Sequence, residues 1–96
     1  PETLREMTDW FRDRVSSGVV VLGMVADGGK PQLIAAVTKD LTKRIHAGNI
    51  IRAIAQTIGG GGGGRPDMAQ AGGKDPDRLS EALRQASELV REALES

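Results

Sequence analysis

The sequence has no cysteine and no tyrosine, and its aromatic residues are Trp10 and Phe11 alone. The absence of cysteine excludes a disulfide framework and any thiolate metal site. It agrees with a reducing compartment, and a cytoplasmic location is expected. With so few aromatics, the core has to be aliphatic, built from Val, Ile, Leu and Ala. An excess of charge is lacking too: 13 Lys and Arg balance 13 Asp and Glu. A neutral chain has no global field to draw in nucleic acid, so any basic surface must come from cations gathered on one face. No apolar run approaches the ~20 residues that span a bilayer. No charged-then-apolar leader opens the chain, and no membrane partner is expected. The chain opens on Pro1, as an excised fragment would. Its 96 residues amount to one small domain with a thin margin of stability.

Residues 3–16 read as a helix. Thr3 and Glu6 have capping-box spacing, and Leu4, Met7, Phe11 and Val15 form an apolar stripe with Trp10 half-buried at its edge. Ser16-Ser17-Gly18 stops it. Residues 19–26, VVVLGMVA, are a continuous apolar run, which predicts a strand covered on both faces. Asp27-Gly28-Gly29-Lys30-Pro31 is a turn, and residues 32–37, QLIAAV, complete an antiparallel hairpin. Two strands alone are marginal. A further strand is expected from upstream of this chain or from a second copy. A helix interrupted near Gly48 follows over about 41–58, with Ile50, Ile51, Ile54, Ala55 and Ile58 on its apolar face. Residues 59–74 read as a glycine-rich loop. Asp75 caps a last helix over 76–95, with Pro76 in its first turn. Its core stripe is Leu79, Leu83, Ala86, Val90 and Leu94, and Glu81–Arg84 and Glu88–Arg91 are its exposed pairs. The whole is a small α/β (α+β) sandwich of one domain.

Six consecutive glycines, Gly59 to Gly64, are the conspicuous feature. Glycine exposes its backbone N–H groups and can wrap an anion closely. The run matches any glycine pattern trivially, and Arg65-Pro66 after Gly64 breaks the Walker spacing. A flexible linker is the plain alternative, but only one short helix follows, and the segment exits through Arg65 and returns to Gly72-Gly73. Arg65 is suited to a bidentate phosphate contact. Met68 and Ala69 are placed to pack the segment onto the core. Lys39, Lys43, Arg44, His46 and Arg52 cluster just before it, with Lys39 and Lys43 four apart as on one helix face. These residues read either as a solvated helix face or as a phosphate-tracking patch. His46 is the sole histidine and cannot make a metal site alone. Ser16, Ser17, Ser80, Ser87 and Ser96 lack a nucleophile-elbow context. The carboxylates sit at turns, caps and helix surfaces, so catalysis within this chain is not expected.

The segments Ala35-Ala36-Val37-Thr38-Lys39-Asp40-Leu41, His46-Ala47-Gly48 and, above all, GGGRPDMAQAGG over 62–73 resemble the C-terminal end of alanyl-tRNA synthetases. The resemblance extends over essentially the whole chain. DHH-superfamily phosphoesterases carry an accessory domain of the same type, usually with His-Pro in the glycine motif and no PDMAQ. The resemblance implies a DHH-associated domain that tethers tRNA at its elbow and works beside the other domains of a ligase, sometimes supporting a homodimer. It implies that a strand precedes the helix at 3–16. It assigns ATP, Mg and Zn to other domains, leaving no cofactor for this fragment. The expected RNA contacts are Lys39, Lys43, His46, Gly60, Gly61, Gly62, Gly63, Gly64 and Arg65. Pro66, Met68, Gln70, Gly72 and Gly73 are expected to shape the loop. The alternatives are the substrate-binding accessory domain of a DHH phosphoesterase, and a dimerisation module.

Overall fold

A computed structural model describes residues 6, 7, 10, 17–26 and 28–95. The first β-branched run forms β1 (Val19–Val25), which pairs antiparallel with β2 (Pro31–Val37), Val19 opposite Val37 and Val25 opposite Pro31. Between them Ala26 N–H donates to the Lys30 carbonyl at 2.8 Å, and Gly29 N–H to the Ala26 carbonyl at 3.0 Å.

The strand that this hairpin requires comes from the glycine-rich segment itself. Residues 59–74 are not a loop. They form β3 (Gly61–Gly64) and β4 (Met68–Gly72), and β4 pairs antiparallel with both β2 and β3. The sheet order is β1-β2-β4-β3, an α+β architecture. Glycine is a poor strand former in isolation, but Met68-Ala69-Gln70-Ala71 docks on β2 and gives β3 a template. The expectation of complete cover also moves. It is β2, inside the sheet, whose residues Leu33 to Val37 are buried on both faces, while β1 at the edge is half-buried and Val25 is exposed.

After β2 the chain makes a single 3-10 turn (Lys39–Leu41), and only then does α1 (Ala47–Ala55) begin. The helix expected over 41–58 is thus a turn followed by a shorter helix that starts beside Gly48. Ile58 is still fully buried beyond its end. A second 3-10 turn (Pro76–Arg78) leads into α2 (Leu79–Glu95). Asp75 stands at the cap position without a side-chain capping bond. On α2, Arg84 bonds both Glu81 and Glu88, the latter at 2.6 Å, so Glu88 pairs with Arg84 and not with Arg91 as expected. Of the helix expected at 3–16, Glu6, Met7 and Trp10 are described and helical, and the rest lies outside the described residues. Met7 and Trp10 are both exposed, which removes Met7 from a buried stripe and leaves Trp10 more open than expected.

Helices α1 and α2 lie on one face of the sheet: α1 packs on β2, β4 and β3, and α2 on β1 and α1. Strand alternation turns Leu33, Ala35 and Val37 of β2, with Ala69 and Ala71 of β4, toward Ile51, Ile54 and Ile58. Each isoleucine so buried contributes ~1.5–3 kcal/mol. The small alanines on the sheet let α1 come close, and at β3 the approach is closer still. A Cβ built on Gly48 would lie 2.5 Å from the Gly64 carbonyl oxygen, and one built on Gly62 would run into Gln70 and Ala71. At the other end of α1, Gly60 N–H donates to the Ala55 carbonyl at 3.0 Å. The helix therefore runs alongside a strand that carries no side chains.

This contact gives a test of sign. An ordinary helical Gly→Ala change stabilises by ~0.5–1 kcal/mol. Gly48→Ala is expected to destabilise instead, by ~1–3 kcal/mol from overpacking against backbone. Urea denaturation midpoints at unchanged slope would show it. A more stable Gly48→Ala protein would mean that the close approach is not a constraint.

Candidate nucleic-acid interface

Three chain segments meet at one end of the sheet: the exit of β2, the start of α1 and the β3–β4 turn. Val37 N–H donates to the Asp67 carbonyl at 2.9 Å, which ties the β2 exit to the turn. A helix start leaves unpaired N–H groups, and here each has a named partner. Ala47 N–H donates to the Pro66 carbonyl at 2.9 Å and Gly48 N–H to the Arg65 carbonyl at 3.2 Å. Asn49 N–H donates to Nδ1 of the capping His46 at 3.1 Å. The α1 N-terminus thus holds the Arg65-Pro66 turn through its backbone. It is not an empty anion site.

The exit of β2 is clasped by polar side chains. Thr38 Oγ1 donates to Asp40 Oδ1 at 2.6 Å and accepts from Gly18 N–H at 2.9 Å. Ser17 Oγ donates to Asp40 Oδ2 at 2.6 Å. The clasp fixes the turn that displays Lys39 and Lys43, both exposed. They lie on consecutive tight turns, not on one helix face as expected.

Arg65 projects from the hairpin tip with its side chain 72% exposed, its Nε 3.5 Å from Asp67 Oδ1. Arg44 and Arg52 are exposed as well, and His46 is half-buried in its capping role. Residues 38–52 and 64–68 hold five cations (Lys39, Lys43, Arg44, Arg52 and Arg65) against two carboxylates, Asp40 and Asp67. Zero net charge therefore conceals a basic end, although Arg44 stands apart beside Leu89 and Ala93 of α2. The opposing charge is concentrated in the last helix and its approach, residues 75–95, where six carboxylates face three arginines.

The glycine amides are less available than expected. Gly60 N–H goes to Ala55 and Arg65 N–H to the Met68 carbonyl at 2.9 Å. Antiparallel bonding alternates along a ladder, and the Arg65–Met68 bond sets its phase: Gly61 and Gly63 bond to β4. That removes Gly60, Gly61 and Gly63 as phosphate donors. Gly62 and Gly64 are the positions that the ladder leaves unbonded to β4, and both are exposed, but the Gly64 carbonyl lies against Gly48 of α1. Pro66 and Gly73 act through backbone bonds, Gly73 N–H donating to the Pro31 carbonyl at 3.1 Å. Met68 is buried, and Gln70 and Gly72 pair with Ile34 and Gln32 of β2.

Among the described residues there is no group of three or more His, Cys, Asp or Glu placed to hold a metal ion. No described helix is long and apolar enough to cross a membrane.

The chain has clear relatives among known proteins. The DHHA1 domain model matches residues 1–92, and the chain belongs to the DHHA1 domain family. Its relatives are synthetases: it is 56% identical over 90 residues to an alanine–tRNA ligase of Desulforamulus reducens and 56% identical over 88 residues to one of Roseiflexus sp.. These matches cover 93% and 91% of this chain but 10% of each relative, so the chain spans about a tenth of their length. The crystal structure of the C-Ala domain from Aquifex aeolicus alanyl-tRNA synthetase superimposes with a TM-score of 0.83 at 37% identity, over 93% of this chain and 79% of that one. The resemblance to the alanyl-tRNA synthetase C-terminal domain, drawn from residues 62–73, therefore holds.

The clasp predicts a pH dependence. The hydrogen bond from Ser17, and then that from Thr38, hold the Asp40 carboxyl below its ordinary value of 3.8. A depressed folded-state pKa means that the unfolded chain binds more protons in this range, so the contribution is present above the ordinary value and is lost as pH falls. Asp40→Asn is expected to flatten the acid limb of Tm measured below pH ~4. An unchanged acid limb would show that the clasp contributes nothing.

Proposed function

We propose that this chain is the tRNA-contacting module of an alanine–tRNA ligase. The ligase as a whole charges tRNA with alanine and edits mischarged tRNA, and this part holds the RNA without taking part in bond making. The observation that carries the reading is the convergence of Lys39, Lys43 and Arg65 on one end of the sheet, in a domain whose relatives act on tRNA by name. Phosphate contacts of this kind follow backbone and shape, as structured RNA requires. Arg65 sits at the tip as the leading cation, Lys39 and Lys43 flank it, and the Nε2 side of His46 faces away from its cap. Gly62 offers an edge amide beside them, and the bare strand lets an RNA backbone come close. The partners are tRNA and the other domains of the ligase, which also hold its ATP, Mg and Zn chemistry. The setting is the cytoplasm.

Each neutralised phosphate contributes ~0.7–0.9 to the slope of log affinity against log salt. Arg65→Ala and the double change Lys39→Ala, Lys43→Ala should each weaken binding of a tRNA transcript and lower that slope by about one unit per lost contact. Arg84→Ala, on the acidic helix, should change neither. Fluorescence anisotropy over a salt series reads all three. Parent-like affinity and slope in both basic-end variants would rule out this surface as the RNA contact.

A further inference from the structure

The geometry points to Arg52, held by Asn49 against the glycine strand, as a phosphate-binding residue of this surface. The identity of the ligand as nucleic acid rests on the reading above. The anion site itself rests on separate observations.

Arg52 stands one turn along α1 from Gly48, beside β3. Its Nη2 and Nε lie 3.7 and 4.0 Å from the point where a side chain on Gly63 would begin. Its Nη1 donates to Asn49 Oδ1 at 3.2 Å. Asn49 is itself anchored, its N–H donated to His46 Nδ1. The guanidinium is thus fixed by a neutral acceptor, with most of its donors uncommitted.

The other arginines with fixed side chains are neutralised. Arg84 lies between Glu81 and Glu88, and Arg65 Nε is 3.5 Å from Asp67. Among the described residues no carboxylate comes within ion-pair distance of Arg52. A positioned guanidinium without a counter-ion is the arrangement that takes up a phosphate through two parallel N–H donors. The wall beside it is bare backbone. Gly62, next to Gly63, is an exposed strand position that the ladder leaves unbonded to β4. A sheet edge whose backbone carries no side chains admits an anion closely. Asn49 is the positioning residue of this site, and Arg52 its ligand.

Two titrations of the full 96-residue chain test this. In the first, inorganic phosphate is added and Arg52 Nε–H and the Gly62 amide are followed by NMR; both should shift together, and the amide should stop shifting in Arg52→Gln. In the second, tRNA affinity is measured over a salt series. Arg52→Ala should lose about tenfold and lower the salt slope by about one contact. Arg52→Lys should keep the slope with reduced affinity, because ammonium cannot make the fork. Asn49→Ala should lose less than Arg52→Ala and keep the slope. The proposal is overturned if phosphate leaves Arg52 Nε–H unmoved. It is also overturned if Arg52→Ala and Arg52→Lys both bind tRNA like the parent while Arg65→Ala does not, a result that would leave the RNA reading standing. A parent chain that shows the phosphate shifts at Arg52 but binds no tRNA keeps the anion site and removes the RNA reading.

Discussion

The rest of this structure depends on one contact in which side chains are absent. Helix α1 runs along β3 so closely that Gly48 faces the Gly64 carbonyl with no room for a Cβ. Helices usually stand off a sheet by the thickness of the side chains between them. Here the spacing falls to backbone on backbone at one end, while Ile51, Ile54 and Ile58 fill the wider part of the wedge against β2 and β4. Poor strand propensity is the cost of the arrangement. It is offset because β3 is templated on β4, and β4 on the buried β2.

That closeness also determines how the helix start is used. The first amides of α1 sit within hydrogen-bond reach of the β3–β4 turn, so the Arg65 and Pro66 carbonyls satisfy them. In many proteins a helix N-terminus beside a glycine-rich segment is an anion site. Here the same donors fasten a hairpin, and the exposed cations are side chains placed by the fastening: Arg65 on the tip, Lys39 and Lys43 on the clasped turn, Arg52 over the bare strand. Structural amides and exposed cations occupy one end of the sheet without competing for the same groups.

Legibility in the sequence followed the range of the interaction. The β1–β2 hairpin and α2 rest on local signals, an apolar run broken by Gly28-Gly29 and a stripe through Leu79, Leu83, Ala86 and Val90, and both elements form where expected, although Leu94 at the end of the stripe is exposed. The glycine strand was illegible because nothing in residues 59–64 favours extension; its partners are Gln70 and Ala71, across the turn, and Gly48, in a helix upstream. The same distance hid β4, the third strand that lies within the chain itself. The string over 62–73 identified the family, but it could not say which glycine amides were free. That depended on the phase of the ladder, fixed by one bond between Arg65 and Met68.

Charge gives the clearest case of what position adds to composition. Counting cations weights Arg65, Arg84 and Arg52 equally. Their surroundings do not: Arg84 is committed to Glu81 and Glu88, Arg65 shares its charge with Asp67, and Arg52 is steadied by the amide of Asn49. A carboxylate partner fixes a guanidinium and cancels its field, whereas an amide partner fixes it and leaves the field intact. On a domain of zero net charge the second kind of support leaves a local positive field that the overall balance conceals.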